Sequence, residues 1–297
     1  MPYDLSAFKE LVKSTNKAGT DFEAIKLFTD EADFTGLSVD FLVEAGSYVC
    51  IAACVYPSGK IGWTRDEAII GGNFVRLFKL ISAILDQTCQ HRRETTFVFG
   101  RLAFEAIVNT KYLVRHASKK LFDSYVEYSL QHEHKLLASI EENIKARGGN
   151  ELPIEKRMKE SVHRMFEKSE ILNSTQPTKI QNWGNKNLFE RSKDVGLDTA
   201  YLGVFGGGSH AVHGNWPDLL EYHVVNGPDG FEPQMEWRNP RPQVLTTIAL
   251  LCTELVKDYL CQIVGPDHAT EVDTPLNDFH QRLASAIKMH DAFLKNG

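Results

Sequence analysis

Cysteine is scarce in this chain of 297 residues: there are five, an odd number, at Cys50, Cys54, Cys89, Cys252 and Cys261. So scattered a set makes no disulfide framework, and a reducing cytoplasm is the expected compartment. Cys50 and Cys54 share a helical face at i, i+4, a spacing that suits metal or redox chemistry. The preferred reading is small core residues, because cysteine is among the most buried residue types. No cysteine cluster and no metalloprotease-type motif is present, so neither a metal nor another cofactor is expected.

Other motifs are missing too. Gly206-Gly207-Gly208 lacks the Lys-Ser/Thr ending of a Walker loop and falls within a helical pattern. The nucleophile elbow of α/β-hydrolases is absent. Excess positive charge is also lacking: 33 Lys and Arg stand against 39 Asp and Glu, a net charge of −6. That leaves only a local basic cleft as a means of gripping nucleic acid. Met1-Pro2-Tyr3-Asp4 is not the start of a secretory signal, and no apolar run reaches the roughly 18 residues of a membrane span, so no membrane association is expected. Internal repeats and low-complexity tracts are lacking as well.

What is there is helical periodicity. Apolar spacing predicts short helices over 5–14 and 22–31 and a more apolar one over 38–56, ended by Pro57-Ser58-Gly59. Thr64-Arg65-Asp66-Glu67 is a capping-box pattern that should start a helix running to about residue 90. Further helices are predicted over 97–116, 119–147, 153–170, 186–195 and 197–213, with a loop over 173–184. Between 219 and 242, four prolines and Asn226-Gly227-Pro228-Asp229-Gly230 predict an irregular excursion or one small β-hairpin. Helices over 242–264 and 276–295 close the chain. The expected fold is therefore all-α, a single multi-helix bundle domain. It has N-terminal helices over 1–60, a core over 64–218, the excursion near 219–242 and C-terminal helices over 243–297.

Two segments carry one line of polar residues each. Residues 97–116 are apolar almost all round, yet Arg101, Glu105, Asn109, Tyr112 and His116 fall on one helical face. Arg101 and Glu105 are spaced to pair. A guanidinium oriented by its own carboxylate can hold a phosphate bidentately; the alternative is a structural ion pair of the kind buried charges need. In 199–214, Tyr201, Phe205, Ser209 and His213 recur every four residues, and the three glycines let a ligand or another backbone come close. Ser209 beside His213 is the arrangement of a nucleophile and its base. Alternatively, Ser209 is a small residue at a close helix contact, and His213, before Gly214, complements the dipole of a helix end. His210 and His213 at i, i+3, with Glu105, are a third option as metal ligands, without a motif to support it. The two lines are expected to face each other across one pocket. Arg101, Glu105, Ser209 and His213 would converge there as catalytic groups, with Asn109, Tyr112, Tyr201 and His210 as binding residues.

The series Trp183, Leu188-Phe189-Glu190-Arg191, Val195-Gly196-Leu197, Tyr201, Phe205, Ser209 and His213-Gly214, with Arg101-x-x-x-Glu105 upstream, resembles a bacterial all-helical domain family of unknown function. The likeness covers roughly residues 74–219, with Phe205 where the family usually has a second tyrosine. It implies fold and site location but no reaction. More distantly, the chain resembles the HEPN superfamily of helical nucleotide-binding proteins, many of them metal-independent ribonucleases of toxin or phage-defence systems. Their hallmark is an Arg four to six residues before a His; here Gly207 and Gly208 stand there, and Arg101 would have to supply the guanidinium. The resemblance implies a ribonuclease or phosphodiesterase acting on RNA or a nucleotide. In it Arg101 binds phosphate, Glu105 orients Arg101, His213 is the general acid/base, and Ser209 and Tyr201 hydrogen-bond. The alternative expectation is a non-enzymatic helical scaffold whose polar residues form a buried network fixing helix register. A homo-oligomer, or a protein partner from the same operon, is expected with either.

Overall fold

A computed structural model describes residues 10–55, 62–170, 180–265 and 269–296. Of the predicted 5–14 helix, residues 5–9 lie outside these residues and 10–13 are helical; most of the 173–184 loop lies outside as well.

Local capping decides where several of the helices begin. The Asp30 side chain accepts from the Ala32 amide while Asp33 accepts from the Asp30 amide, a box that opens α1, Glu31–Ala53. This start, missed by apolar spacing, splits the predicted 22–31 helix, which survives as the turn Phe22–Ile25. The anticipated box at Thr64 forms, with Glu67 accepting the Thr64 amide at 2.8 Å, and opens α2, Arg65–Cys89. Then come α3 (Arg93–Arg115), α4 (Lys119–Ala146), α5 (Pro153–Lys168) and α6 (Leu188–Asp194). The predicted 197–213 helix forms with an irregularity: Asp198–Ala200 leads into a π-helix, Tyr201–Gly206, before α7, Gly207–His213. Gly214 ends it in the left-handed conformation (φ 56°, ψ 42°), where a side chain would be strained. In the excursion, β1 (Val224–Gly227) pairs antiparallel with β2 (Gly230–Pro233), Asn226 opposite Phe231. Helices α8 (Pro242–Val264) and α9 (Ala269–Asn296) complete the all-α fold, α9 holding Pro275 inside it.

α1, α2, α3 and α8 pack on one another, α9 packs on α8 and α1, and α6 and α7 cover the remaining side of α3. One cluster of buried apolar side chains joins Phe41, Phe74, Phe104 and Phe279, from four helices, to Leu245, Ile248 and Leu255 of α8. Averaged over 18-residue windows, α1 and α2 reach mean hydropathies of 1.4 and 1.6, enough by length and composition for a membrane span, although no single apolar run does. Those windows are 67% and 33% buried inside the protein, and α1 spends its apolar faces on α2 and α8. Cys50 and Cys54 depart from expectation: both are exposed, whereas Cys252 is the thiol in the core, its pKa pushed up by burial.

The core also holds a charge. Glu44 is fully buried, and its carboxylate accepts from Arg282 Nη1 and Nη2 at 3.0 and 2.7 Å, from the Ala18 amide at 2.8 Å and from the Tyr48 hydroxyl at 3.2 Å. Burial, and then the Glu44 charge, raise the Tyr48 pKa. Breaking one side of such a pair strands the other. We therefore expect Arg282→Ala to lose about 3–5 kcal/mol in urea unfolding; a loss below about 1 kcal/mol, typical of a surface pair, would mean that Glu44 finds water.

Candidate functional site

The polar line of α3 is covered rather than solvated. Arg101, Glu105 and Asn109 are part-buried, Tyr112 is buried, and only His116, beyond the helix end, is exposed. The cover is made by the turn Trp183–Asn185, α6, the π-helix and α7.

The second polar line does lie along α3, but in the opposite direction. The Tyr201 ring sits 6.3 Å from that of Phe104 and feels the charges of Arg101 and Glu105. One turn later, the Phe205 ring lies 4.5 Å beneath the Arg101 guanidinium. Next, Gly208 is pressed against Phe97 and Arg101: a methyl there would stand 2.7 Å from Arg101 Cβ and 2.9 Å from the Phe97 carbonyl oxygen. As the covering chain advances from 201 to 208, its partners retreat from about 105 to 97, so the helices are antiparallel.

That direction corrects the expected convergence. Continuing past Gly208 and Ser209, which follow Phe205 beside Arg101, the chain carries His213 toward the start of α3, away from Glu105; His213 is about 12 Å of helix beyond Phe205. His210 and His213 are exposed, and His210 Nδ1 lies 2.6 Å from the Asn215 side-chain nitrogen. Among the described residues no hydrogen bond joins Ser209 to His213. The metal set weighed from the sequence, His210, His213 and Glu105, is likewise not assembled. Nor do Arg101 and Glu105 form an ion pair. The guanidinium turns onto Phe205 instead, and its buried Nε has no hydrogen-bond partner; Asn109 Oδ1 is in the same condition.

A residue quoted in the family series but not singled out for the site now stands beside these groups. Arg191 of α6 is only 6% exposed. Its guanidinium stacks 4.1 Å over the Trp183 ring and donates from Nη1 to the carbonyls of Lys186 (2.6 Å) and Trp183 (3.4 Å), leaving Nε without a partner. Burial pulls its pKa down; the strongest opposing influence is Glu105, followed by Tyr112. Tyr201, stacked on Phe205 at 4.8 Å, has its pKa raised chiefly by burial, Arg101 opposing and Glu105 adding. Two guanidinium groups and the Glu105 carboxylate thus lie along a part-buried wall of aromatic rings, with no ion pair between Glu105 and either arginine. Chemically, such a wall is suited to hold an anion and to rest a flat ring beside it.

Fold and site together define an all-helical protein in which a capping layer encloses a polar face of a core helix. The chain belongs to a family of unknown function, DUF5677, whose model matches residues 67–231, a span that includes every residue of the wall. No curated protein and no solved structure matches it.

Close packing at Gly208 is open to a paired test. Gly208→Ala should push α7 off α3 and cost about 1–3 kcal/mol. Gly207→Ala, which meets nothing within 4 Å, should be neutral or stabilise by up to about 1 kcal/mol. Thermal melts of the two variants that coincide would contradict this packing.

Proposed function

We propose that the Arg101–Arg191 wall binds a phosphate group, that of a nucleotide or of an RNA backbone. The observation that carries this reading is the condition of the two guanidinium groups: the Nε of each is buried with no acceptor, and neither makes an ion pair with the neighbouring Glu105. A buried donor left unmade costs about 1–3 kcal/mol, more when charged. A phosphate oxygen would supply both acceptor and countercharge. Phe189, exposed and 5.1 Å from the Tyr201 ring, offers a surface on which a base can stack.

In this reading Arg101 and Arg191 hold the phosphate, Glu105 orients the guanidinium groups, and Asn109, Tyr112 and Tyr201 are available for hydrogen bonds. Acid/base work by His213 needs a substrate long enough to reach along α7, which favours RNA over a mononucleotide. A ribonuclease of toxin or phage-defence type, as the HEPN resemblance implies, belongs with that substrate. The competing reading is a scaffold, favoured by the tight seating of Gly208, in which the wall serves helix packing alone.

Arg101→Ala separates the two. Titrated with a nucleoside triphosphate and with a short oligoribonucleotide, it should lose at least about tenfold in affinity, the loss of one charge-assisted contact, while its melting temperature changes little. Arg101→Lys should recover part of the binding. No saturable binding of either ligand by the unaltered protein, or binding indifferent to Arg101→Ala, would defeat the proposal and leave the scaffold. His213→Ala that folds and cleaves RNA at the unaltered rate would remove the acid/base role alone.

A further inference from the structure

We propose a divalent transition-metal site at Glu94, Asp218 and His223, three residues that nothing in the sequence pattern singles out. They come from three elements: Glu94 from the first turn of α3, Asp218 from the short helix Trp216–Asp218, and His223 from the end of the π-helix Leu219–His223 that leads into β1. His223 Nε2 lies 3.2 Å from Glu94 Oε1 and 3.3 Å from Asp218 Oδ2. One ligand atom from each residue falls within 4.8 Å of the other two. Ligand atoms about 2.0–2.2 Å from a tetrahedral ion stand about 3.3–3.6 Å apart, so two of the three edges are already close to the required length.

The backbone irregularity is what brings the pair from the excursion together. Residues five apart on an α-helix point roughly 140° away from each other around the axis, whereas the i→i+5 ladder of a π-helix stacks them. The wide turn after Asp218 therefore returns His223 to the same side. Asn215 fixes the start, its side-chain oxygen accepting the Asp218 amide at 3.4 Å.

A second observation points to a ligand. The Asp218 side chain is only 2% exposed, and its Oδ1 has no hydrogen-bond partner. A buried carboxylate oxygen without a donor is costly, and a cation satisfies it. Two neighbouring arginines are engaged elsewhere: Arg238 Nη1 pairs with Glu221 at 2.6 Å, and Arg93 reaches Glu221 at 3.8 Å and the Asn239 carbonyl at 2.6 Å. One imidazole nitrogen and two carboxylate oxygens suit Zn²⁺, Mn²⁺ or Fe²⁺ rather than a thiolate-seeking ion. Three protein ligands leave a position for water, and the half-exposed His223 gives access to it. Glu94 precedes Arg101 by two turns on the same face of α3, about 10 Å away. The inference stands without the phosphate reading.

The test uses the full chain, stripped with EDTA, desalted, and titrated calorimetrically with Zn²⁺ and separately with Mn²⁺, with elemental analysis for stoichiometry. One ion per chain is expected, Zn²⁺ the tighter. His223→Ala and Glu94→Gln, both at partly exposed positions, should each weaken binding at least about tenfold while circular dichroism stays unchanged. Asp218→Asn should do the same if it folds; if it does not, the other two variants decide. His132→Ala, exposed on α4 and outside the cluster, should leave the titration as it was. No binding by the unaltered protein, or Zn²⁺ binding that survives His223→Ala, would overturn the site and leave His223 as a hydrogen-bonding bridge between two carboxylates.

Discussion

A buried guanidinium has to find acceptors, and the way Arg191 finds them shapes the capped side of this molecule. With no carboxylate among the described residues in ion-pair contact, it takes the carbonyls of Lys186 and Trp183 and lies flat on the Trp183 ring. Those contacts tie the turn Trp183–Asn185 to α6. Trp183 in turn packs edge-on against Tyr112 of α3 and Tyr125 of α4. The residues that close over the polar line of α3 are thus held by one side chain whose own needs are only partly met.

The contrast with Glu44 and Arg282 is instructive. There, four hydrogen bonds satisfy one carboxylate completely, as expected of a pair whose task is to hold α1 to α9. On the capped side of α3, Arg101, Asn109, Arg191 and Asp218 all keep a buried polar atom without a partner. A structural network that is left half-satisfied is worse than an apolar core. These unmet atoms give both the phosphate proposal and the metal proposal a common physical basis, although they rest on different atoms.

Two π-helices, Tyr201–Gly206 and Leu219–His223, do much to set this geometry. The first rolls Tyr201 and Phe205 together so that their rings stack and meet Arg101. The second realigns His223 with Asp218. Each is one widened turn inside a helical pattern, and sequence spacing at i, i+4 does not distinguish it from an ordinary turn.

The amino-acid sequence by itself determined the helices, because a helix is written in contacts between residues three and four apart: the Thr64 box, the polar face of α3, the end of α7 at Gly214 and the proline-marked hairpin were all legible. The Asp30 box was legible in principle, yet a short apolar run upstream obscured it. The face of α3 that carries the candidate site could likewise be read, as could the segment that covers it. Tertiary structure alone decided that the two run antiparallel, which separates His213 from Glu105, and that Arg101 turns to Phe205 instead of Glu105. It also decided that Arg191 is buried, that Cys50 and Cys54 are not, and that Glu94 meets Asp218 and His223. The reason is common to all of these: which side chains meet across two helices depends on direction, register and local twist, and those are fixed by the packing of the whole core rather than by any local repeat.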